Sequence, residues 1–310
     1  MSEFFHLPVM VSEVMEFLCV KEGGFYVDCT LGGGGHSLAI IQRGGSVLGI
    51  DRDCEAVAYA VERLSEHKKR FRAKIARFSC ITEVAGIDIG SVDGIVMDLG
   101  VSSRMINDSS RGFSYRHEGP LLMTMEHVGE TACDVVNNKS ARELTAIFRD
   151  YGEERNAARI ARAIVDTRSR HPIKTTGDLA SIVEKTVGAR LPQKSKARIF
   201  QALRIYVNNE IEELRRGLDE AVLVLRSGGR LCVISYHSLE DRVVKNFLRT
   251  MSDPCICPPG LPVCRCGLKP EMKIITRKPV RPSETEVARN SRARSALLRV
   301  GEKIDTVIDS

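Results

Sequence analysis

No stretch of this 310-residue chain is apolar for long enough to cross a bilayer. The opening residues, Met1 to Pro8, are polar and carry Glu3, so they lack the pattern of a secretory signal. The dinucleotide fingerprint Gly-x-Gly-x-x-Gly is missing at its proper spacing, which counts against a nicotinamide-dependent dehydrogenase. Neither sign of charge dominates, because 46 Lys and Arg stand against 40 Asp and Glu for a net +6. That excess only raises the odds of a polyanionic partner. Ten cysteines are present, but Cys19, Cys29, Cys54, Cys80, Cys133 and Cys232 are scattered through expected helices and strands. Reduced thiols in a cytoplasmic protein are the expectation, rather than a disulfide framework.

What is present is an ordinary globular composition, 43% hydrophobic and 28% charged, enough for one large domain or two moderate ones. The chain is organised around Phe25-Tyr26-Val27-Asp28-Cys29-Thr30-Leu31 followed by Gly32-Gly33-Gly34-Gly35-His36. An apolar run reads as a buried strand, four glycines break it, and Ser37 to Ile41 can begin a helix. Strand, glycine turn and helix form the ligand-binding corner of an open α/β sheet. Ser46 to Asp51 is a second strand ending in a carboxylate about 20 residues beyond the glycines, where an acid accepts hydrogen bonds from a ribose. Asp51 could instead cap the helix Glu55 to Leu64, as could Asp53. Ile75 to Ser79 and Asp93 to Gly100 are expected as the third and fourth strands. Gly33 to His36, Asp51, Phe78 and Asp98 would then line one crevice at the strand ends.

From Asn107 to Gly217 the pattern is helical, with no convincing strand. Arg142 to Tyr151, Glu154 to Thr167, Leu179 to Val187 and Phe200 to Leu225 all show helical spacing. The expected architecture is therefore an α/β domain in two parts, 1–106 and 218–310, with a helical insert at 107–217. Gly228-Gly229 should stop the long helix, Leu231 to Tyr236 should return to the sheet, and Lys273 to Lys278 with Ser295 to Val300 could close it. Arginine and lysine cluster in the insert at Arg155, Arg159, Arg162, Arg168 and Arg170, and again at Arg190, Lys194, Lys196, Arg198 and Arg204. A third cluster runs from Lys273 to Arg299. One such cluster is a solvated helix face, whereas three incline towards nucleic acid.

Several long motifs occur in one order: His36 after the glycines, Asp98-Leu99-Gly100-Val101-Ser102-Ser103, Arg111-Gly112-Phe113-Ser114-Tyr115, Tyr151-Gly152-Glu153-Glu154-Arg155, Phe200-Gln201-Ala202-Leu203-Arg204-Ile205 and Tyr236-His237-Ser238-Leu239-Glu240-Asp241-Arg242. From His6 to Arg299 the chain resembles the RsmH (MraW) family of bacterial 16S ribosomal RNA cytosine N4-methyltransferases. The resemblance implies a class I, Rossmann-like methyltransferase fold with an inserted helical substrate-recognition domain. It implies S-adenosylmethionine as cofactor, and as substrate a cytidine in the decoding region (P site) of 16S rRNA in the small ribosomal subunit. The family's cofactor positions fall on Gly34, Gly35, His36, Asp51, Phe78 and Asp98. Where the family usually has a polar residue after the Ser-Ser pair, Met105 stands, which can line the pocket without a polar contact.

The resemblance also brings departures. Pro120-Leu121-Leu122-Met123-Thr124-Met125-Glu126 replaces the common Pro-Leu-Asp-Met-Arg-Met-Asp, and Ser195-Lys196-Ala197-Arg198 replaces Pro-Ala-Thr-Arg. Both bear on substrate positioning, and a non-catalytic rRNA-binding or assembly factor on the same fold is the alternative function they keep open.

Cytosine N4 is a weak nucleophile because its lone pair is delocalised into the ring, so an acceptor for its N–H is needed. Asp98 is the catalytic candidate, either as that acceptor or in steering the sulfonium. Tyr236 and His237 could meet a splayed-out base, or could simply end a strand and cap the helix Leu239 to Leu248. Cys255-x-Cys257 and Cys264-x-Cys266 suggest zinc, but structural pairs are usually spaced by two to four residues. The surrounding run, Cys255 to Gly260, also recurs in a family with no known metal requirement. No metal ligand is assigned.

Overall fold

The structure, a computed structural model, describes residues 8–84, 86–126, 128–188, 192–258 and 265–305. They form two compact units, one made of the described residues up to Gly100 and again from Ile211, the other of Val101–Glu210.

The first unit begins with α1 (Val11–Leu18), β1 (Phe25–Asp28), α2 (Gly35–Ile41), β2 (Ser46–Asp51), α3 (Cys54–Arg63), β3 (Phe71–Ile75) and β4 (Val92–Asp98). The second unit holds α4 (Ser103–Asn107), α5 (Ala132–Asn138), α6 (Ala141–Asp150), α7 (Ala157–Arg168), α8 (Thr176–Val187) and α9 (Pro192–Val207). The chain then returns through α10 (Glu210–Val224), β5 (Leu225–Ser235), α11 (Ser238–Ser252), β6 (Met272–Ile274), α12 (Glu284–Arg289) and β7 (Leu297–Lys303).

The seven strands lie in the order β3-β2-β1-β4-β5-β7-β6. The first five are parallel, and β7 runs antiparallel to both β5 and β6. Successive strand residues serve opposite layers. Tyr26, Val47 and Val96 pack in one apolar cluster, while Val27, Leu48, Ile95 and Met97 pack in the other. Both faces are covered, which is why these strands read as continuous apolar runs rather than alternating ones. The strand order reverses between β1 and β4, and such a reversal opens a crevice at the carboxyl ends of the strands.

Several expectations need correction. The third strand is Phe71–Ile75, not Ile75 to Ser79, and Phe78 instead opens a 3-10 turn, Phe78–Glu83. Among the described residues from 101 to 210 there is only an isolated bridge, Pro120 to Thr175. The helix expected from Phe200 to Leu225 is two helices, because Asn209 adopts a left-handed conformation (φ 50°). Asn208, just before the break, uses its side chain on the insert. It donates to the carbonyl of Met123 (2.7 Å) and accepts from the N–H of Met125 (2.8 Å). The two units divide in sequence between Gly100 and Val101 and between Glu210 and Ile211. Gly228-Gly229 does not end a helix but lies within β5, where Gly228 has φ 76°. The last strand continues past Gly301 to Lys303.

The insert has its own core. Leu121, Met123, Val135, Leu144, Phe148, Ile160, Ile164, Leu179, Ile199 and Leu203 are buried together. Helices α5, α6 and α8 each start on a capping box, Thr131 with Asp134, Ser140 with Glu143 and Thr175 with Asp178. Each box satisfies N–H groups that would otherwise lack partners and is worth roughly 1 kcal/mol. The divergent Leu121–Met125 segment sits inside this core. Arg111, itself buried, donates to the carbonyls of Thr124 (3.1 Å) and Met125 (3.0 Å). Thr124 is buried here, where a longer arginine would have to reach outward.

Candidate active site

The glycine turn is held by its own chain. Leu31 donates its N–H to the carbonyl of Ile50 (3.0 Å), and its side chain lies where a Cβ on Gly49 would be, 2.5 Å away. Gly34 caps α2 in a left-handed conformation (φ 73°). A Cβ on Gly35 would meet Pro8 at 2.7 Å, and one on Gly34 would meet Leu64 at 3.0 Å. These two glycines are thus required by backbone conformation and by packing against Pro8 and Leu64. Arg63 in α3 donates to the carbonyl of Gly33 (2.6 Å) and fixes the turn from its other side.

Three carboxylates stand at the ends of neighbouring parallel strands. Asp51, ending β2, accepts from the N–H of Gly32 and of Asp53, both at 2.9 Å. The cap of α3 is Asp53, which accepts from Glu55 N–H (3.0 Å), so Asp51 is released from that structural duty. Asp98, ending β4, receives the Tyr236 hydroxyl on Oδ1 (2.7 Å), while its own N–H donates to Thr30 Oγ1 (2.6 Å). Asp28, ending β1, is fully buried and accepts from Ser37 Oγ (2.7 Å) and from Thr30 N–H (3.3 Å).

Burial pushes the carboxyls of Asp51 and Asp98 up to about 6, against the hydrogen bonds they accept. For Asp98 the neighbouring His36 is the strongest opposing influence. Asp28 is raised for the same reason. Burial and the adjacent carboxylate push the Tyr236 hydroxyl well above its ordinary value, so it remains a donor.

His36 is buried. Its Nε2 donates to the carbonyl of Val9 (3.0 Å), which leaves Nδ1 directed towards Asp98 Oδ2 at 4.0 Å. The two residues after β5 divide between the roles open to them. Tyr236 reaches Asp98, while His237 caps α11, its Nδ1 accepting from Glu240 N–H (3.3 Å). Glu240 in return accepts from the N–H groups of Tyr236 (2.8 Å) and His237 (3.3 Å).

Phe78 is half-buried, and its ring rests on α10. A Cβ on Gly217 would fall 2.2 Å from its Cδ2. Around that glycine, Glu213 accepts from Ser79 N–H (3.2 Å) and Oγ (2.9 Å), and Glu220 accepts from Thr82 N–H (3.1 Å). One helix face thus clamps the whole 3-10 turn. Met105 belongs to the other unit, where its side chain is buried in the insert's own core and its N–H donates to Ser102 Oγ (3.2 Å).

Contacts at the strand ends thus join Gly32 to Asp51, and join Asp98 to His36, Thr30 and Tyr236, with Asp28 held by Thr30 and Ser37. From the sequence, Tyr236 is one of two residues that could meet a base or end a strand, while Asp28 and Thr30 are assigned no role. Asp28 ends the first strand as Asp51 and Asp98 end theirs, and Tyr236 directly follows the fifth.

The basic clusters separate by partner. Lys196 is buried against Glu184, Arg204 makes a bidentate pair with Glu210 (2.8 Å on each arm), and Arg168 donates to the carbonyl of Val136 (2.7 Å). Arg299 pairs with Asp241 (2.6 and 3.0 Å). Arg155, Arg159, Arg162, Arg170 and Lys194 remain exposed on the insert, whereas Arg190 lies outside the described residues.

A doubly wound parallel sheet with a reversed penultimate strand, and acids at the tips of its central strands, defines a class I, Rossmann-like methyltransferase that uses S-adenosylmethionine. The MraW methylase family matches residues 3–304, and the chain belongs to that family. Ribosomal RNA small subunit methyltransferase H of Carboxydothermus hydrogenoformans is 48% identical over 307 residues, spanning 97% of this chain and 99% of the relative. The protein of the same name from Clostridioides difficile is 45% identical over 311 residues, spanning 97% and 100%. A solved methyltransferase from Streptococcus mutans in complex with SAH aligns with 96% of this chain and 100% of its own, at 10% identity and TM-score 0.44.

Proposed function

We propose that this protein methylates 16S rRNA in the small ribosomal subunit, in the cytoplasm, and that the methyl group goes to N4 of a cytidine in the decoding region (P site). The observation that carries the substrate is kinship along the whole length, insert included, with relatives named for that RNA. The carboxylate set supports the cofactor. Asp28, Asp51 and Asp98 are desolvated near one another, and a cationic ligand offsets that cost better than a neutral one.

When bound, S-adenosylmethionine supplies a methyl group activated on a positively charged sulfur. Gly34, Gly35 and His36 would hold its methionine part, with His36 acting through its placement beside Asp98. Asp51, free of capping, would accept from the ribose hydroxyls, and Phe78 would pack on adenine. Asp98 would accept the N–H of the cytosine amine as its lone pair is recruited, or orient the cationic end, with the Tyr236 hydroxyl setting the position of Oδ1. The exposed arginines of the insert would contact phosphates.

Mass spectrometry of rRNA from a deletion strain is the decisive measurement. Loss of one N4-methylcytidine, restored by the intact gene, is the expected result, and unchanged cytidine methylation sinks the proposal. Asp51→Ala should weaken cofactor binding more than RNA binding. Calorimetry returning unaltered cofactor affinity removes the ribose role.

A further inference from the structure

Between the end of α11 at Ser252 and the start of β6 at Met272, the described residues form no helix or strand. They bury almost nothing, and Ile256 is 78% exposed. A connection with so little apolar surface does not repay the entropy of being ordered. Yet it delivers β6 to its register with β7, Met272 opposite Lys303. Something other than a core must hold it.

Cys255, Cys257 and Cys266 lie in this connection, and their three Sγ atoms all fall within 4.8 Å of one another. The Sγ atoms of Cys266 and Cys255 are 3.9 Å apart, and the backbone N–H of Arg265 donates to Cys257 Sγ at 3.3 Å. We propose that Cys255, Cys257 and Cys266 ligate a structural zinc ion that staples the α11–β6 connection to itself.

Two distances decide between the available chemistries. A disulfide needs sulfurs about 2.05 Å apart, close to half the separation seen. Thiolates at about 2.3 Å from a tetrahedral zinc stand about 3.8 Å from each other, close to the 3.9 Å between Cys255 and Cys266. The N–H directed at Cys257 Sγ is the kind of outer contact that stabilises a metal-bound thiolate. Sulfur donors select a soft cation over calcium or magnesium.

The single-residue spacing, an objection when read from sequence, is answered by where the sulfurs lie. The Sγ atoms of Cys255 and Cys257 lie within 4.8 Å of each other despite the single intervening residue, so both can reach one ion. Cys264 lies outside the described residues, and the three named thiolates define the site without it. On binding, each thiol gives its proton to solvent as its sulfur–zinc bond forms, so uptake of the metal releases acid.

The test is metal analysis of the full chain purified under reducing conditions without chelator, beside the double variant Cys255→Ser, Cys257→Ser. About one zinc per chain in the parent, falling below about a tenth in the variant, is the expected outcome for a three-thiolate site. Should the variant not fold, cobalt(II) titration of the chelator-treated parent decides. A thiolate-to-cobalt charge-transfer band supports the site, and its absence overturns it. Zinc retained by a folded double variant, iron in place of zinc, or a parent mass short of two hydrogens across Cys255 and Cys266 would each overturn the assignment.

Discussion

Asp98 carries the sharpest consequence at the scale of a single residue. Its folded carboxyl sits near 6 because it is buried, against 3.8 in an exposed chain, and Asp51 behaves alike. Between those values the folded state holds the protons more tightly than the unfolded one. The stability these two groups contribute is therefore complete below pH 3.8 and is lost as pH rises through about 6. Cofactor binding runs the opposite way, since a cation is attracted only by the ionised carboxylates. Calorimetry from pH 5 to 8 should show affinity for S-adenosylmethionine falling as the solution is acidified below about 6. Asp98→Asn should weaken S-adenosylmethionine roughly tenfold, about 1.4 kcal/mol. S-adenosylhomocysteine, whose sulfur is neutral, should be affected much less. Equal losses for the two ligands would remove Asp98 from the neighbourhood of the sulfur.

At the scale of elements, α10 does more than cover the sheet. Glycine inside a helix usually costs about 0.5–1 kcal/mol relative to alanine, so Gly217→Ala would ordinarily stabilise. Here the added methyl falls 2.2 Å from the Phe78 ring. The substitution should therefore displace the ring, lower the melting temperature and weaken binding of adenosine ligands. A variant with raised stability and unchanged affinity would show that the ring has room to yield. This clamp was invisible in the sequence, because the helical repeat Leu214, Leu218, Leu225 announces only the apolar face. Glu213, Gly217 and Glu220 look like an ordinary solvated stripe until the 3-10 turn is placed against them. The first, second and fourth strands were legible because doubly buried strands are uninterrupted apolar runs. The third was misplaced, since in Phe71–Ile75 only Phe71 is buried and the pattern resembles a loop. The break at Asn209 was hidden for a related reason. An apolar repeat continues across it, and only the side-chain bonds of Asn208 to Met123 and Met125 reveal the interruption.

At the scale of the whole molecule, most of the candidate site was readable because it follows from strand order, which the alternation of strands and helices already implies. Basic residues were far less readable, because charge in a sequence does not reveal its partner. Lys196, Arg204, Arg168 and Arg299 are engaged within the protein, whereas Arg155, Arg162, Arg170 and Lys194 on the insert, and Lys273, Arg277, Lys278, Arg281, Arg289 and Arg294 outside it, are exposed. Replacing Arg155, Arg159 and Arg162 together with alanine should weaken RNA binding and leave cofactor affinity unchanged. If each contacts one phosphate of a single strand, the salt dependence of log K should flatten by roughly 0.7 per residue. An unchanged salt slope would direct attention to the basic residues between Lys273 and Arg294.

The backing of the glycine turn has a bearing on how the protein is made. Val9 receives His36, Pro8 covers Gly35, and the N–H of Met10 donates to Glu286 Oε1 at 2.6 Å, across 276 positions of sequence. Asp98 likewise awaits Tyr236, 138 positions downstream. A ribosome emitting this chain must pass Glu286 before these partners exist together. Early strands can form as they emerge, but the pocket's walls close only when the final hundred residues arrive. Chains released prematurely at about residue 280 lack Glu286 and β7, and should therefore bind the cofactor more weakly even where they retain secondary structure.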